Sequence, residues 1–537
     1  MARSNPLMMF AKQVAAEMAS GGPGQGVAMA MAALDRIPDA AEQLLGLIVA
    51  ESGVMNPDGE LIEALALLLG QALESLRFAT ESGHGEAATR LDGLRAALVA
   101  LVGRNAIDVD SLMLVVRQFT VAGVDPGNEL RSAMVERMGA LADSDDLAGD
   151  PLEPLALLAT EVEDEFTLFA LIREMTGALP DEHRTMLAAA AFAPGAAPLP
   201  GLDRLREAAL GLLFDSAEPV RRESAALLGA AAERGELSGI TLRRMIALRN
   251  WVPAGERAAL DDAIRKARLK GVAIAPLPSA DVREVFATGW DGAGAQSLFF
   301  VVKEGRRFAL AALLLKQGFG VRDAWVQHGG TKRDADGLLG EVEEQVGLVR
   351  TTMEYAAEAA AFALGINAAS GVLPPFGLID AAETAGLANL QPETVAVEAL
   401  VETLCADLPS GPEAESLAFA ASATWRQRHP FTQSWFESGD EVGELLGRKR
   451  LAKGKAADLI LDQCLEGRRR LWAERIAWTA AALRQPQQAG RKTKAGLPGA
   501  ADWADFALVA RALLAGTPLR ALPVMVAVAR ASVEHFA

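Results

Sequence analysis

A mainly helical fold is what this sequence predicts, and three observations predict it. Of its 537 residues, 51% are hydrophobic but only 5% are aromatic. Alanine and leucine supply most of that apolar content, and both favour helix over sheet. Apolar residues also recur at three- and four-residue spacing, as at Leu61, Ala64, Leu65 and Leu68 and again at Leu94, Leu98 and Leu101. Finally, clusters of Gly, Pro, Asn and Asp cut these stretches into helix-sized pieces. A chain this long has material for a large core and for roughly two to four domains.

Residues 1–150 read as an N-terminal helical region. Its turns are Gly21-Gly22-Pro23-Gly24, Asn56-Pro57-Asp58-Gly59, Gly83-His84-Gly85 and Asp125-Pro126-Gly127-Asn128. The acidic stretch Asp143 to Pro151 marks a boundary. Residues 151–275 then hold about three helix pairs. The first runs from Glu165 to Pro194 and turns at Leu179-Pro180-Asp181. The third runs from Thr241 to Gly271, turns at Pro253-Ala254-Gly255 and carries Ala258, Leu260, Ala263 and Ile264 on its second helix.

The middle pair carries a recognisable pattern, LLFDSAEPVRRESAALLG, from Leu212 to Gly229. Asp215 ends one helix and has an oxygen to offer the free N–H groups that open the next. Pro219 falls in a first turn, where a missing N–H costs nothing. Val220, Ser224, Leu227 and Leu228 share a helical face, and Ala225 and Ala226 permit close helix approach. Arg221 is expected to reach back to Asp215 or to a carboxylate of the preceding repeat, a structural role rather than a ligand role. In these positions the stretch resembles a HEAT-type, armadillo-like helical repeat. The resemblance is clear only around residues 202–234. It implies an α-solenoid-like stack of helix pairs, with binding through a concave face.

Residues 276–345 break this rhythm after a second boundary at Gly271 to Val282. A small β-meander is expected near 296–327, with strands at Leu298–Val302, Phe308–Leu315 and Val321–Val326 and a turn at Glu304-Gly305. The run ALAALLL in the second strand would also suit a helix. Residues 346–537 return to helix as a C-terminal region, first around Met353, Ala357, Ala360 and Phe362. Arg484 to Gly499 reads as an exposed linker, and the apolar helices from Asp502 to Phe536 read as a cap.

Catalytic signatures are sparse. No GxxxxGK[ST] or G-x-S-x-G string occurs, and GAGAQ near Gly292 precedes a strand where a dinucleotide fold needs it to follow one. His84, His183, His328, His429 and His535 are isolated, without metal-ligand spacing. Asp334, Asp336, Gly337 and Glu343 echo a calcium loop, but Lys332 puts a positive charge at its leading position, so a helix start near Asp334 is the expectation. Cys405 and Cys464 lie in apolar surroundings, suit buried inert thiols and form no zinc or disulfide pattern. No cofactor is expected.

Charge is uneven on a chain of net −18. Residues 1–165 hold 10 Lys and Arg against 26 Asp and Glu, whereas residues 441–495 hold 13 against 6. The candidate site for an anionic partner is therefore Arg448, Lys449, Arg450, Lys453, Lys455, Arg468 and Arg469, followed by Arg470, Trp472, Arg475 and Trp478. The competing structural account makes Leu461, Leu465, Trp472, Ile476 and Leu483 a core stripe and pairs Arg470 with Glu466 and Glu474. No run of residues is apolar enough to span a membrane and no secretory signal is visible, so a cytoplasmic protein is expected. The leading function is a non-catalytic scaffold or adaptor that binds another protein. The alternatives are a nucleic-acid-associated protein using the basic stretch 448–494, which the acidic overall field disfavours, and an enzyme whose site leaves no motif.

Overall fold

The computed structural model describes residues 5–536 apart from 21–28, 31–32, 35–36, 38, 140–151, 178, 194–198, 410, 448–451 and 485–501. The acidic boundary Asp143–Pro151 and the linker after Arg484 lie outside the described residues. Tertiary contacts gather the chain into two compact units, Met1–Leu227 and Leu228–Ala537.

The first unit is built of helices joined by turns, with no strand among its described residues. Its helix Gly59–Glu81 buries Leu61, Leu65, Leu68, Leu69 and Leu73 against helices Pro6–Ala19, Ala40–Ser52, Gly85–Gly103 and Val109–Val121. The turn residues noted above do local work. Asp58 accepts the Leu61 N–H at 3.1 Å, Asp108 accepts that of Ser111 at 2.9 Å and Asp164 that of Thr167 at 2.7 Å. Each such cap contributes about 1 kcal/mol.

The stretch Leu202–Arg234 folds as a helix, a turn and a second helix. Helix Leu202–Ala209 tightens into a 3₁₀ turn at Leu210–Phe214, and helix Glu218–Arg234 follows with Pro219 in its first turn. Arg221 does serve the turn, but by donating to the carbonyls of Asp215 at 2.8 Å and Ser216 at 3.0 Å. The Asp215 carboxylate is engaged elsewhere. Both of its oxygens accept from Arg184 at 2.9 Å, and Oδ1 also accepts the Ala217 N–H at 2.8 Å. Arg184 is only 3% exposed, so this bidentate pair is the buried contact of the turn. Val220, Ser224, Ala225 and Leu228 are buried as the periodicity requires, whereas Ala226 faces solvent.

The second unit opens with helices Gly239–Leu248 and Arg257–Leu269, the third expected pair. A five-stranded antiparallel sheet follows, made of β1 (Val282–Ala287), β2 (Ala295–Glu304), β3 (Arg307–Lys316), β4 (Gly320–Gly330) and β5 (Val349–Arg350), in the order β4-β3-β2-β1-β5. The meander expected near 296–327 is β2, β3 and β4. Gly305 takes φ +60° in the two-residue turn where Glu304 pairs with Arg307, a position that favours glycine. The ALAALLL run is strand because β3 pairs on both edges and is buried on both faces, so it shows no alternation. β1 and β5 escape a sequence reading. β1 follows a proline-rich stretch and carries two adjacent charges, Arg283 and Glu284, and β5 has only two residues.

Successive side chains of the sheet point to opposite sides. Phe299, Val301, Leu310 and Ala312 meet Ala335 and Leu339 of helix Lys332–Val346. Helices Met353–Ser370 and Gly377–Thr384 pack on β3 and β4. The rest of the unit is a helical bundle in which Arg469–Leu483 packs against Trp503–Leu514 and Val397–Cys405. Its core stacks Trp425 on Phe506 at 3.7 Å and sets Trp435 edge-on to Trp472 at 5.6 Å. Among the described residues no helix is long and apolar enough to cross a membrane.

Candidate functional site

Among the described residues, the basic side chains singled out from sequence divide between exposed lysines and arginines already paired with carboxylates. Arg448, Lys449 and Arg450 lie outside the described residues. Lys453 and Lys455 are exposed in the first turn of helix Lys453–Ile460 and form no ion pair among the described residues. Arg468 pairs with Glu437 and, at 2.8 Å, with Glu441. Arg469 grips Glu466 through two bonds of 2.6 and 2.8 Å and donates to the Thr517 carbonyl at 2.7 Å. Arg470 reaches Glu398 rather than Glu466 or Glu474, and Glu474 accepts from Gln317 at 2.8 Å. Trp472 and Trp478 are buried, Trp472 donates to Glu437 at 2.8 Å, and the buried Arg475 lies over the Trp472 ring at 4.4 Å. The stripe Leu461, Leu465, Trp472, Ile476 and Leu483 is core.

The remaining sequence candidates resolve into structural roles. Thr331 and Asp334 form a reciprocal capping box at the start of helix Lys332–Val346, and Lys332 pairs with Glu284 at 2.8 Å. The calcium-loop echo is thus a helix start. Burial pushes the Cys464 thiol up to about 11, and Cys405 also rises, so neither is a thiolate at neutral pH. Among the described residues no group of three or more His, Cys, Asp or Glu is placed to hold a metal ion.

A cavity in the second unit is built instead from residues that no motif flagged. After helix Arg257–Leu269 the chain runs without regular secondary structure through Gly271–Asp281, pinned where Ala275 N–H donates to the Gly239 carbonyl at 3.0 Å. Pro276 and Pro278 keep this segment out of helix. Between it, helix Gly239–Leu248, helix Gly377–Thr384 and the loop 385–391 lies a hollow of about 240 Å³. Ile246, Ile274, Leu277 and Ile379 supply its apolar lining, and Ile274 and Leu277 remain 50% and 47% exposed.

Its far wall is fixed by contacts across the sequence. Trp251 Nε1 donates to the Leu390 carbonyl at 3.1 Å. Glu383, nearly buried, accepts from Arg243 at 2.7 and 3.1 Å and from Arg244 at 3.1 Å. Arg268 lines the same hollow from the last turn of its helix, is exposed, and has no ion pair among the described residues. A second hollow of about 330 Å³ shares Asn389 and Gln391 with the first. It is lined by Glu358 and Glu393, and burial together with the charges of Glu393 and Glu354 pushes the Glu358 carboxyl up. The loop that carries Asn389 and Gln391 thus borders one hollow with cationic groups and another with anionic ones. Sequence reasoning missed these residues because Arg243 and Glu383 stand 140 positions apart, and their only local trace is an apolar, proline-bounded segment without periodicity.

In two stretches the chain is similar to described protein domains. Residues 180–271 match the Y4lR second domain and residues 398–537 match the Y4lR C-terminal helical domain. Over 487 residues the chain is 29% identical to the uncharacterized protein y4lR of Sinorhizobium fredii (strain NBRC 101917 / NGR234), covering 87% of this chain and 88% of that protein. No solved structure matches it. Arg243, Trp251 and Arg268 fall inside the first matched stretch, and Lys453, Lys455, Arg468 and Arg469 inside the second.

Proposed function

We propose that this chain is a non-catalytic cytoplasmic interaction protein that holds a partner protein, with HEAT-type helix pairs as its scaffold and the 240 Å³ hollow as the seat for a partner segment. The scaffold reading draws support from helix pairs at Glu165–Ala191, Leu202–Arg234 and Gly239–Leu269. The observation that carries the seat is the pairing of exposed Ile274 and Leu277 with an open apolar hollow beside Arg268, which has no ion pair among the described residues. Soluble proteins rarely leave aliphatic side chains beside a ready-made cavity unless something covers them. Size points the same way. Pockets for drug-sized ligands span roughly 300–1,000 Å³, and this one falls short, which suits one or two anchoring side chains of a peptide better than a whole cofactor. The cationic mouth commits the partner to an aliphatic segment with acidic neighbours. The nucleic-acid alternative is weaker, because Arg468, Arg469 and Arg470 would have to surrender carboxylates to take phosphates.

A random peptide library displayed on phage and panned on the full chain tests this. The expected winners carry aliphatic anchors and bind at least about tenfold more weakly to the Ile274→Asp, Leu277→Asp double variant. Winners that bind both proteins alike, or no winners at all, would remove the seat.

A further inference from the structure

The groove reading leaves the chemistry of its charged end unassigned. The charged side chains that line the hollow are Arg243, Arg268 and Glu383. Glu383 is already committed, held by two bonds from Arg243 and further bonds from Arg244. Arg243 also donates to the Pro276 carbonyl, which fixes its guanidinium at the wall. Arg268 is different. It reaches the same hollow from the last turn of helix Arg257–Leu269 and meets no carboxylate among the described residues. The helix terminus favours a cation there, so the side chain costs little to keep and stays open to a ligand.

We propose that Arg268, with Arg243 behind it, is a carboxylate-binding subsite at the mouth of the hollow, and that it takes an Asp, Glu or terminal carboxylate of the partner segment. This rests on the groove reading. A guanidinium presents two parallel N–H donors that match the two oxygens of a carboxylate. The apolar lining of Ile246, Ile274, Leu277 and Ile379 asks for a branched aliphatic neighbour on the same segment. At about 30 Å³ for each water displaced, the hollow of about 240 Å³ holds the volume of roughly eight waters, enough for one aliphatic side chain with the acid at the opening. A free small acid has the same head group but lacks the backbone that the Asn389 side chain, exposed in the lining, can bond.

The test uses three probes on the full chain, read by saturation-transfer NMR: acetyl-Ile-Leu-Asp-amide, its isostere acetyl-Ile-Leu-Asn-amide, and 4-methylpentanoate. The aspartyl peptide is expected to bind about tenfold tighter than the asparaginyl peptide, a difference of about 1.4 kcal/mol, and tighter than 4-methylpentanoate. Arg268→Gln should erase the preference for Asp, and Arg268→Lys should keep part of it because a point charge remains. Arg268 is exposed, so neither variant threatens folding. Equal binding of the two peptides by the unmodified protein overturns the carboxylate subsite while leaving the apolar groove intact. A preference that survives Arg268→Gln overturns it too. Tighter binding of 4-methylpentanoate than of the aspartyl peptide would overturn the partner segment as the source of the carboxylate. Failure of all three probes to bind at about 10 mM, a limit set by millimolar-scale affinity, overturns the subsite; the display selection then judges the groove separately.

Discussion

His328 shows how single side chains are held in this fold. Its Nδ1 lies 2.9 Å from Glu304 and its Nε2 3.3 Å from Asp380. The hydrogen bond and charge of Asp380, reinforced by Glu304, raise the imidazole to about 9, so it stays charged at neutral pH. A histidine near 6.5 when unfolded and near 9 when folded stabilises the folded chain fully below about pH 6.5. That contribution fades as pH rises through 9. His328→Gln is therefore expected to cost about 1 kcal/mol at pH 6, the scale of a partly exposed ion pair. The loss of Tm should shrink steadily between pH 6.5 and 9. A deficit unchanged across that range would mean that packing, not charge, is what the residue supplies. The same scale explains what the sequence hides. Arg470 finds Glu398, 72 positions away, and Arg184 finds Asp215, 31 positions away. Helical spacing reveals carboxylates three or four positions off, and cannot choose between those and partners brought in by the fold.

At the scale of elements, periodicity serves well where one face is buried and poorly where none or both are. Helix Gly59–Glu81 and the three helix pairs are legible for the first reason, whereas Met353–Ser370 and Arg469–Leu483 bury unbroken runs such as Ala359–Leu364 and Arg475–Ala480 and are legible through their helix-forming composition. β3 is ambiguous for the second, and the boundary Gly271 to Val282 hides the irregular segment Gly271–Asp281 because that segment belongs to no periodic element. That segment walls the candidate cavity, so the site was less legible than the fold. Helix Met353–Ser370 also meets the loop that borders both hollows at a place where no side chain fits. A Cβ on Gly365 would come within 1.9 Å of the Glu393 carbonyl oxygen, and Glu393 is held there because its N–H donates to the Ala361 carbonyl at 2.9 Å. Gly→Ala in a helix gains about 1 kcal/mol in propensity, whereas overpacking against backbone costs about 1–3 kcal/mol. Gly365→Ala should accordingly lower the urea midpoint. A midpoint equal to or above that of the unmodified protein would show that the loop yields freely.

For the whole molecule, composition and charge set expectations that the fold refines. The net charge of −18 repels polyanions in general, and among the described residues after 441 Arg468, Arg469 and Arg470 are paired with Glu398, Glu437, Glu441 and Glu466. Against that acidic background the proposed seat places a cationic mouth on an apolar hollow, which would orient a partner segment. Where a peptide sits on this protein is therefore the decisive question, and hydrogen exchange of the full chain, with and without a peptide enriched by the display selection, answers it. The account predicts added protection confined to Ala273–Leu277 and to residues 385–391, lost in the Ile274→Asp, Leu277→Asp variant. Protection centred instead on Lys453 and Lys455, with those two segments unchanged, would contradict it.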